Sequence, residues 1–177
     1  MAGVDPADLL FLDETNTPTT LTPRSARSPR GERAVGSVPR GRWHSITLVA
    51  TLTPDGMGPS LVLDGPLDRD AFDVYVAQIL VPKLRPGQTV VLDNLSVHRA
   101  ARVRRLVEAA GCRLLFLPPY SPDLNPIEPA WSKLKQLLRG AGARTTEALH
   151  AALARLVDAI TPRDAAGYFR HCGYAVQ

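Results

Sequence analysis

Short apolar runs and stretches of helical period alternate along this chain, and five of the runs read as strands. Residues 8–13 form a buried run closing on an acid, Leu9-Leu10-Phe11-Leu12-Asp13. Residues 14–42 are rich in Thr, Pro, Arg, Gly and Ser, show no hydrophobic period and predict a long loop. Trp43 to Thr53 is a β-branched run with partial alternation, and Pro54-Asp55-Gly56 is a turn. Leu61-Val62-Leu63 then predicts a short strand antiparallel to the one before it. Residues 68–82 switch to helical spacing, with Phe72, Val76 and Ile79 on one face.

Pro86-Gly87 breaks the chain before a second acid-terminated run, Val90-Val91-Leu92-Asp93. Val103, Leu106, Val107 and Ala110 follow at i, i+3, i+4 and i+7, with Gly111 as the helix stop. Arg113 to Leu117 is the fifth strand, and Pro118-Pro119-Tyr120-Ser121-Pro122 a stiff loop. A third helix is predicted from near Pro126 to near Gly140, with Ile127, Trp131, Leu134 and Leu138 facing the core. A fourth spans about 146–160, and a terminal one is capped by Thr161 with Pro162 in its first position. This order predicts an α/β fold: a mixed five-stranded sheet flanked by helices, in a single domain over residues 1–177.

Composition narrows the class without fixing it. The chain has 177 residues and 45% hydrophobic content, enough for a sizeable core. No apolar run approaches the roughly 18 residues that would cross a bilayer, so no membrane partner is expected. Met1 to Asp8 carries no basic region followed by an apolar stretch, so no secretory signal is read there. Cys112 and Cys172 have no metal-ligand spacing and read as reduced cytoplasmic thiols. The net charge of +4 favours an anionic partner, and residues 24–42 concentrate it. Arg24, Arg27, Arg30, Arg33, Arg40 and Arg42 stand there against one acid, Glu32. Such a cluster suits phosphate neutralisation on DNA. It equally suits a solvated loop in a chain that holds 18 arginines to 3 lysines.

The candidate chemistry lies in three acids. Asp13 and Asp93 close two runs, and Glu128 follows Asp93 with 34 residues between them. If the first and fourth strands are neighbours, their backbones lie about 4.8 Å apart and the two aspartates can share an ion. Three carboxylates on adjacent elements suit hard divalent cations, which take oxygen ligands. Two such ions activate a water or hydroxyl and stabilise the leaving oxygen of a phosphodiester, the chemistry of a nuclease or strand transferase. Each acid also has a plainer reading. Asp13 suits a turn, and Asp93 suits a local cap ahead of the next helix. Glu128 sits at the third helical position after Asn125 as N-cap and Pro126, where a capping box places Glu. Ser132, Lys135 and Arg139, at +4, +7 and +11 from Glu128, form a stripe that suits either a DNA groove or solvent. His98, five residues after Asp93, reads as structural or as an orienting group, and Tyr120 as a stacking or a packing ring.

Several segments together resemble a known family. The segment VVLDNLSVHRA, followed by LLFLPPYSPDLNPIEPAWSKLKQLLR, resembles the catalytic domain of DDE transposases of the mariner superfamily, especially its bacterial insertion-sequence branch. FLDET, GERAVGSVPRGRWHSITLVATL and LDGPLD are similar to further segments of that family, and the resemblance covers about residues 5–174. It implies an RNase H-like fold and a metal-binding catalytic triad of Asp13, Asp93 and Glu128. It implies Mg²⁺ or Mn²⁺ as cofactor, two ions in all. The implied activity is cleavage at transposon ends and transfer of the 3′-OH into target DNA by a cytoplasmic, nucleoid-associated bacterial enzyme. Family members carry helix-turn-helix modules ahead of this domain, and only 12 residues precede Asp13. A separate helix-turn-helix subunit and a homo-oligomer are therefore expected partners. Two alternatives stay open: a stand-alone RNase H-like nuclease, and a non-catalytic remnant that binds DNA or a full-length transposase.

Overall fold

A computed structural model describes residues 4–40, 43–93 and 101–176. His98 and Arg42 lie outside the described residues. Five strands, β1 (Leu9–Pro18), β2 (Ser45–Thr53), β3 (Gly56–Asp64), β4 (Thr89–Leu92) and β5 (Arg113–Phe116), form one sheet in the order β3-β2-β1-β4-β5. β1 pairs with β2 and β2 with β3 antiparallel; β1–β4 and β4–β5 are parallel. The expected mixed sheet is present, and its first and fourth strands are neighbours.

Successive side chains of a strand point to opposite faces, and both faces of this sheet are covered. Leu10, Leu12, Val49, Val90 and Leu92 pack under α1 (Arg69–Tyr75) and α2 (Ala101–Ala109). Leu9, Phe11, Leu48, Ala50 and Val91 pack under α3 (Ile127–Ala141), α4 (Thr146–Leu156) and α5 (Pro162–His171). Asp13, two residues after Phe11, therefore belongs to the α3 face. The Phe11 ring fixes that face in place. It meets Phe169 edge-on at 5.4 Å and Tyr174 at 5.2 Å between centroids, contacts typically worth about 0.5–1.5 kcal/mol each beyond burial.

Four local expectations change. The first strand does not stop at Asp13: residues 14–18 continue it, because Glu14 to Pro18 pair with Val49 to Ser45. Thr15 and Thr17 are buried and Asn16 is exposed, a strand period carried by threonine hydroxyls rather than hydrocarbon. The loop thus begins later than residue 14. β3 is longer than Leu61–Leu63, and a bulge between Ala50 and Leu52 absorbs its register. Gly58 lies against that bulge, where an added Cβ would run into the Thr51 hydroxyl.

The helix expected over 68–82 starts as α1, then widens into a π turn (Val76–Leu80) and tightens into a 3-10 turn (Val81–Lys83). Pro82 has no N–H to give the carbonyl four residues back, so the ladder shifts. The phase shift buries Leu80 in the core, and Ile79 packs against it partly buried. Finally, α3 runs to Ala141 and is closed by Gly142 at φ 62°, two residues beyond Gly140.

Candidate active site

Parallel pairing of Leu12 with Leu92 ends the β1–β4 ladder. Asp13 and Asp93 are the next residues along each chain segment, so their backbones leave the ladder side by side. β1 carries on past this point with β2, and Asp13 sits opposite the small, buried Ala50. Asp13 is 7% exposed. Its Oδ1 accepts the Glu14 N–H at 2.8 Å, and its Oδ2 accepts the Asn125 side-chain N–H at 3.3 Å.

Asn125 was expected to cap α3 and does not. The helix has no side-chain cap, Pro126 occupies the cap position, and the buried Asn125 side chain turns to Asp13 instead. Its backbone carbonyl still accepts the Glu128 N–H at 3.1 Å. With the side-chain cap gone, the capping-box reading of Glu128 loses its reciprocal partner. No sequence signal set Asn125 apart from an ordinary N-cap. The segment before Asn125 is tied down as well: the Tyr174 hydroxyl donates to the Leu124 carbonyl at 2.7 Å.

The three acids share one electrostatic field. The Asp13 carboxyl is raised to about 7, first by burial and then by Glu14, with smaller increments from Glu128 and Asp93, against the lowering by the Glu14 N–H. Partial burial pushes the Lys135 ammonium below its usual value. Glu128 and Asp13 act in the opposite sense, while Arg139 and Arg24 reinforce the drop. Lys135 therefore senses two of the acids and two of the candidate DNA-binding arginines. Among the described residues no three His, Cys, Asp or Glu side chains stand close enough to surround an ion. The acids interact without closing on a single point. The donor set nevertheless fits a hard cation: all its ligands are carboxylate oxygens, and one is a buried carboxyl whose ionised form is opposed by every acid around it.

Beside the acids, Arg24 and Ser25 approach α3 at Ser132, Gln136 and Arg139 across a groove of about 350 Å³. Two members of the stripe that follows Glu128, the exposed Ser132 and the half-buried Arg139, thus line a cleft, while the half-buried Lys135 lies outside its lining. Arg144, which the sequence did not single out, holds the start of the arginine segment by donating to the Leu21 carbonyl at 2.7 Å. Arg24, Arg27, Arg30, Arg33 and Arg40 are exposed, and only Arg24 of these lines the groove. Both described cysteines are free and buried. No described helix is long and apolar enough to cross a membrane.

The sheet order, the acids at the β1–β4 edge and the helix carrying the third acid define a class. The sequence matches the model of the DDE superfamily endonuclease over residues 8–150, and the chain belongs to that family. It is 30% identical over 103 residues to the Tcb1 transposase of Caenorhabditis briggsae, covering 56% of this chain and 38% of that protein. To the Tc1 transposase of Caenorhabditis elegans it is 29% identical over 108 residues, covering 59% and 40%. The chain therefore spans well under half the length of these curated relatives. Its fold is similar to the Mos1 strand transfer complex, with TM-score 0.66 at 20% identity over 94% of this chain and 51% of that one. Similarity to the catalytic domain of Mos1 mariner transposase has TM-score 0.62 at 16% identity over 94% and 76%. The expected RNase H-like architecture is thus the one present.

Proposed function

We propose that this chain is the catalytic domain of a DDE transposase, cutting DNA at transposon ends and joining the freed 3′-OH to target DNA. The observation that carries the reading is the electrostatic coupling of the buried Asp13 to the other two acids. Asp13 lies beside the end of β4, is held by the residue three before Glu128, and feels the charge of both Asp93 and Glu128. Asp13, Asp93 and Glu128 would hold Mg²⁺ or Mn²⁺, with the two aspartates sharing one ion and Glu128 serving a second. When bound, such ions activate the attacking water or 3′-OH and stabilise the leaving oxygen. Mos1 paired end complexes are known with Mg and with Mn, which supports the choice of metal.

The chain's own contributions are positional. Asn125 orients Asp13, and Lys135 brings a cation to the acid cluster. Arg24 and Arg139 receive backbone phosphates in the groove between them, and the remaining arginines of residues 24–42 extend that positive path. A helix-turn-helix subunit would supply the recognition of the transposon ends. The Mos1 paired end complexes support a homo-oligomer on DNA. On this reading the enzyme works on bacterial chromosomal DNA in the cytoplasm.

The test is a two-stage assay with Mg²⁺ or Mn²⁺: nicking of a supercoiled plasmid, then joining of a pre-cut oligonucleotide end to it. Wild type should do both, and Asp13→Asn, Asp93→Asn and Glu128→Gln should do neither. Nicking without joining would assign a stand-alone nuclease. Absence of both, with the helix-turn-helix partner supplied, would assign a non-catalytic remnant.

A further inference from the structure

Tyr120 breaks two local rules at once. Its φ of 57° is the one left-handed value among the described non-glycine residues. Its ring is wholly exposed, at 101%. A bulky side chain holds that backbone conformation only where its surroundings over-determine it. Here they do. Pro118, Pro119 and Pro122 fix their own φ values around it. The Ser121 hydroxyl donates to the Pro119 carbonyl at 3.3 Å, and the Leu124 N–H donates to the Ser121 carbonyl at 3.2 Å.

Both ends of this loop are fastened beside the acids. The Leu117 N–H donates to the Leu92 carbonyl at 2.8 Å, one residue before Asp93. At the other end Asn125 donates to Asp13. The loop therefore carries a strained, solvated aromatic ring between two anchors that lie beside the acids. The exposed ring gains no burial in return for the strain.

We propose that Tyr120 is a stacking platform for an unpaired nucleobase of the DNA strand engaged at the acids. The inference rests on the reading of DNA as substrate and adds how the strand is held open there. The groove of Arg24 and Arg139 suits phosphates, and no aromatic ring lines it. A rigid aromatic face in water supplies what is missing, and stacking on it is tolerant of sequence because every base has a π-face. A second copy of the chain is the less suited occupant. Protein docking surfaces present contiguous apolar area of several hundred Å². The other large exposed hydrophobics, Val35, Val38, Trp43 and Val74, all lie on other segments.

Two labelled DNAs of equal length test this without added metal: a full duplex, and a duplex with three unpaired nucleotides at one end. Wild type should prefer the forked DNA. Tyr120→Ala should weaken forked binding roughly five- to hundredfold and leave duplex binding unchanged. Tyr120→Trp should keep the preference. A 2-aminopurine among the unpaired nucleotides should be quenched by wild type and not by Tyr120→Ala. Tyr120→Gly, which relieves the left-handed strain, should melt at or above wild type while losing the preference, so a folding defect is separated from a lost ring.

Unchanged forked binding in Tyr120→Ala, or equal loss on both DNAs, would overturn the platform and leave DNA as substrate. Wild type that binds neither DNA would overturn the substrate reading, and the platform with it. A Tyr120→Ala variant that dissociates in sedimentation yet retains its forked preference would assign the ring to a contact between copies and overturn the proposal.

Discussion

The buried side chain of Asn125 donates to Oδ2 of Asp13 at 3.3 Å across 112 positions of sequence. This single contact ties the entrance of α3 to the middle of β1. An amide donor favours the ionised form of the carboxylate it meets. Asn125→Ala should therefore raise the Asp13 pKa further and move the pH profile of metal-dependent nicking to higher pH. The bond's loss should also cost about 1–3 kcal/mol of stability in urea unfolding. Asn125→Asp should be worse on both counts, because it sets another acid against a buried one. An unmoved pH profile in Asn125→Ala would reduce the contact to packing.

Asp13 also makes stability depend on pH. Its carboxyl is raised from 3.8 to about 7 in the folded chain. Below about pH 4 both folded and unfolded chains hold the proton, and the group contributes nothing. Between about 4 and 7 only the folded chain holds it, so stability falls as pH rises. Above 7 the full penalty, on the order of 4 kcal/mol, is in place. Without metal, the melting temperature should fall across this window, and Asp13→Asn should flatten the fall. Mg²⁺ should restore wild type above pH 7 and do little for Asp13→Asn. Parallel melting curves for the two proteins would show that the burial of Asp13 carries no such penalty.

Glu128 separates chemistry from capping. It is exposed at the start of a helix that has no side-chain cap. Glu128→Gln should therefore unfold within about 0.5 kcal/mol of wild type, the usual range of surface substitutions. It should nevertheless lose metal-dependent nicking, because an amide lacks the charge a hard cation requires. Nicking at the wild-type rate would remove Glu128 from the metal-binding set.

The groove makes a prediction about salt. Arg24→Ala with Arg139→Ala should weaken binding to unrelated duplexes alike. It should also reduce the slope of log affinity against log salt by about 2, roughly one phosphate for each arginine. Arg27→Ala with Arg30→Ala, outside the groove, should change the slope less. Equal slopes in both pairs would mean that the groove is not the phosphate path.

Much of this molecule is legible in local pattern. The runs ending at Asp13 and Asp93 are strands, the 3.6-residue periods are helices, and Thr161 caps α5 as expected, with Pro162 at its first position. These features survive because the alternation of apolar and polar positions directly records which side of an element is buried. Asp13 and Asp93 are legible for the same reason, since acids that close buried runs stand out from their neighbours.

What the tertiary structure alone decided depends on distant partners. Residues 14–18 look like loop until Ser45 to Val49 pair with them, because hydrogen bonds rather than hydrocarbon make that strand. Asn125 looks like a cap until folding brings Asp13 within its reach. Tyr120 could pack or stack until the fold leaves its ring in water. The sequence by itself determined the elements and nominated the three acids, because local burial is written in local period. Only the folded sheet decided which residues meet, because contacts between remote segments leave no periodic trace in the chain.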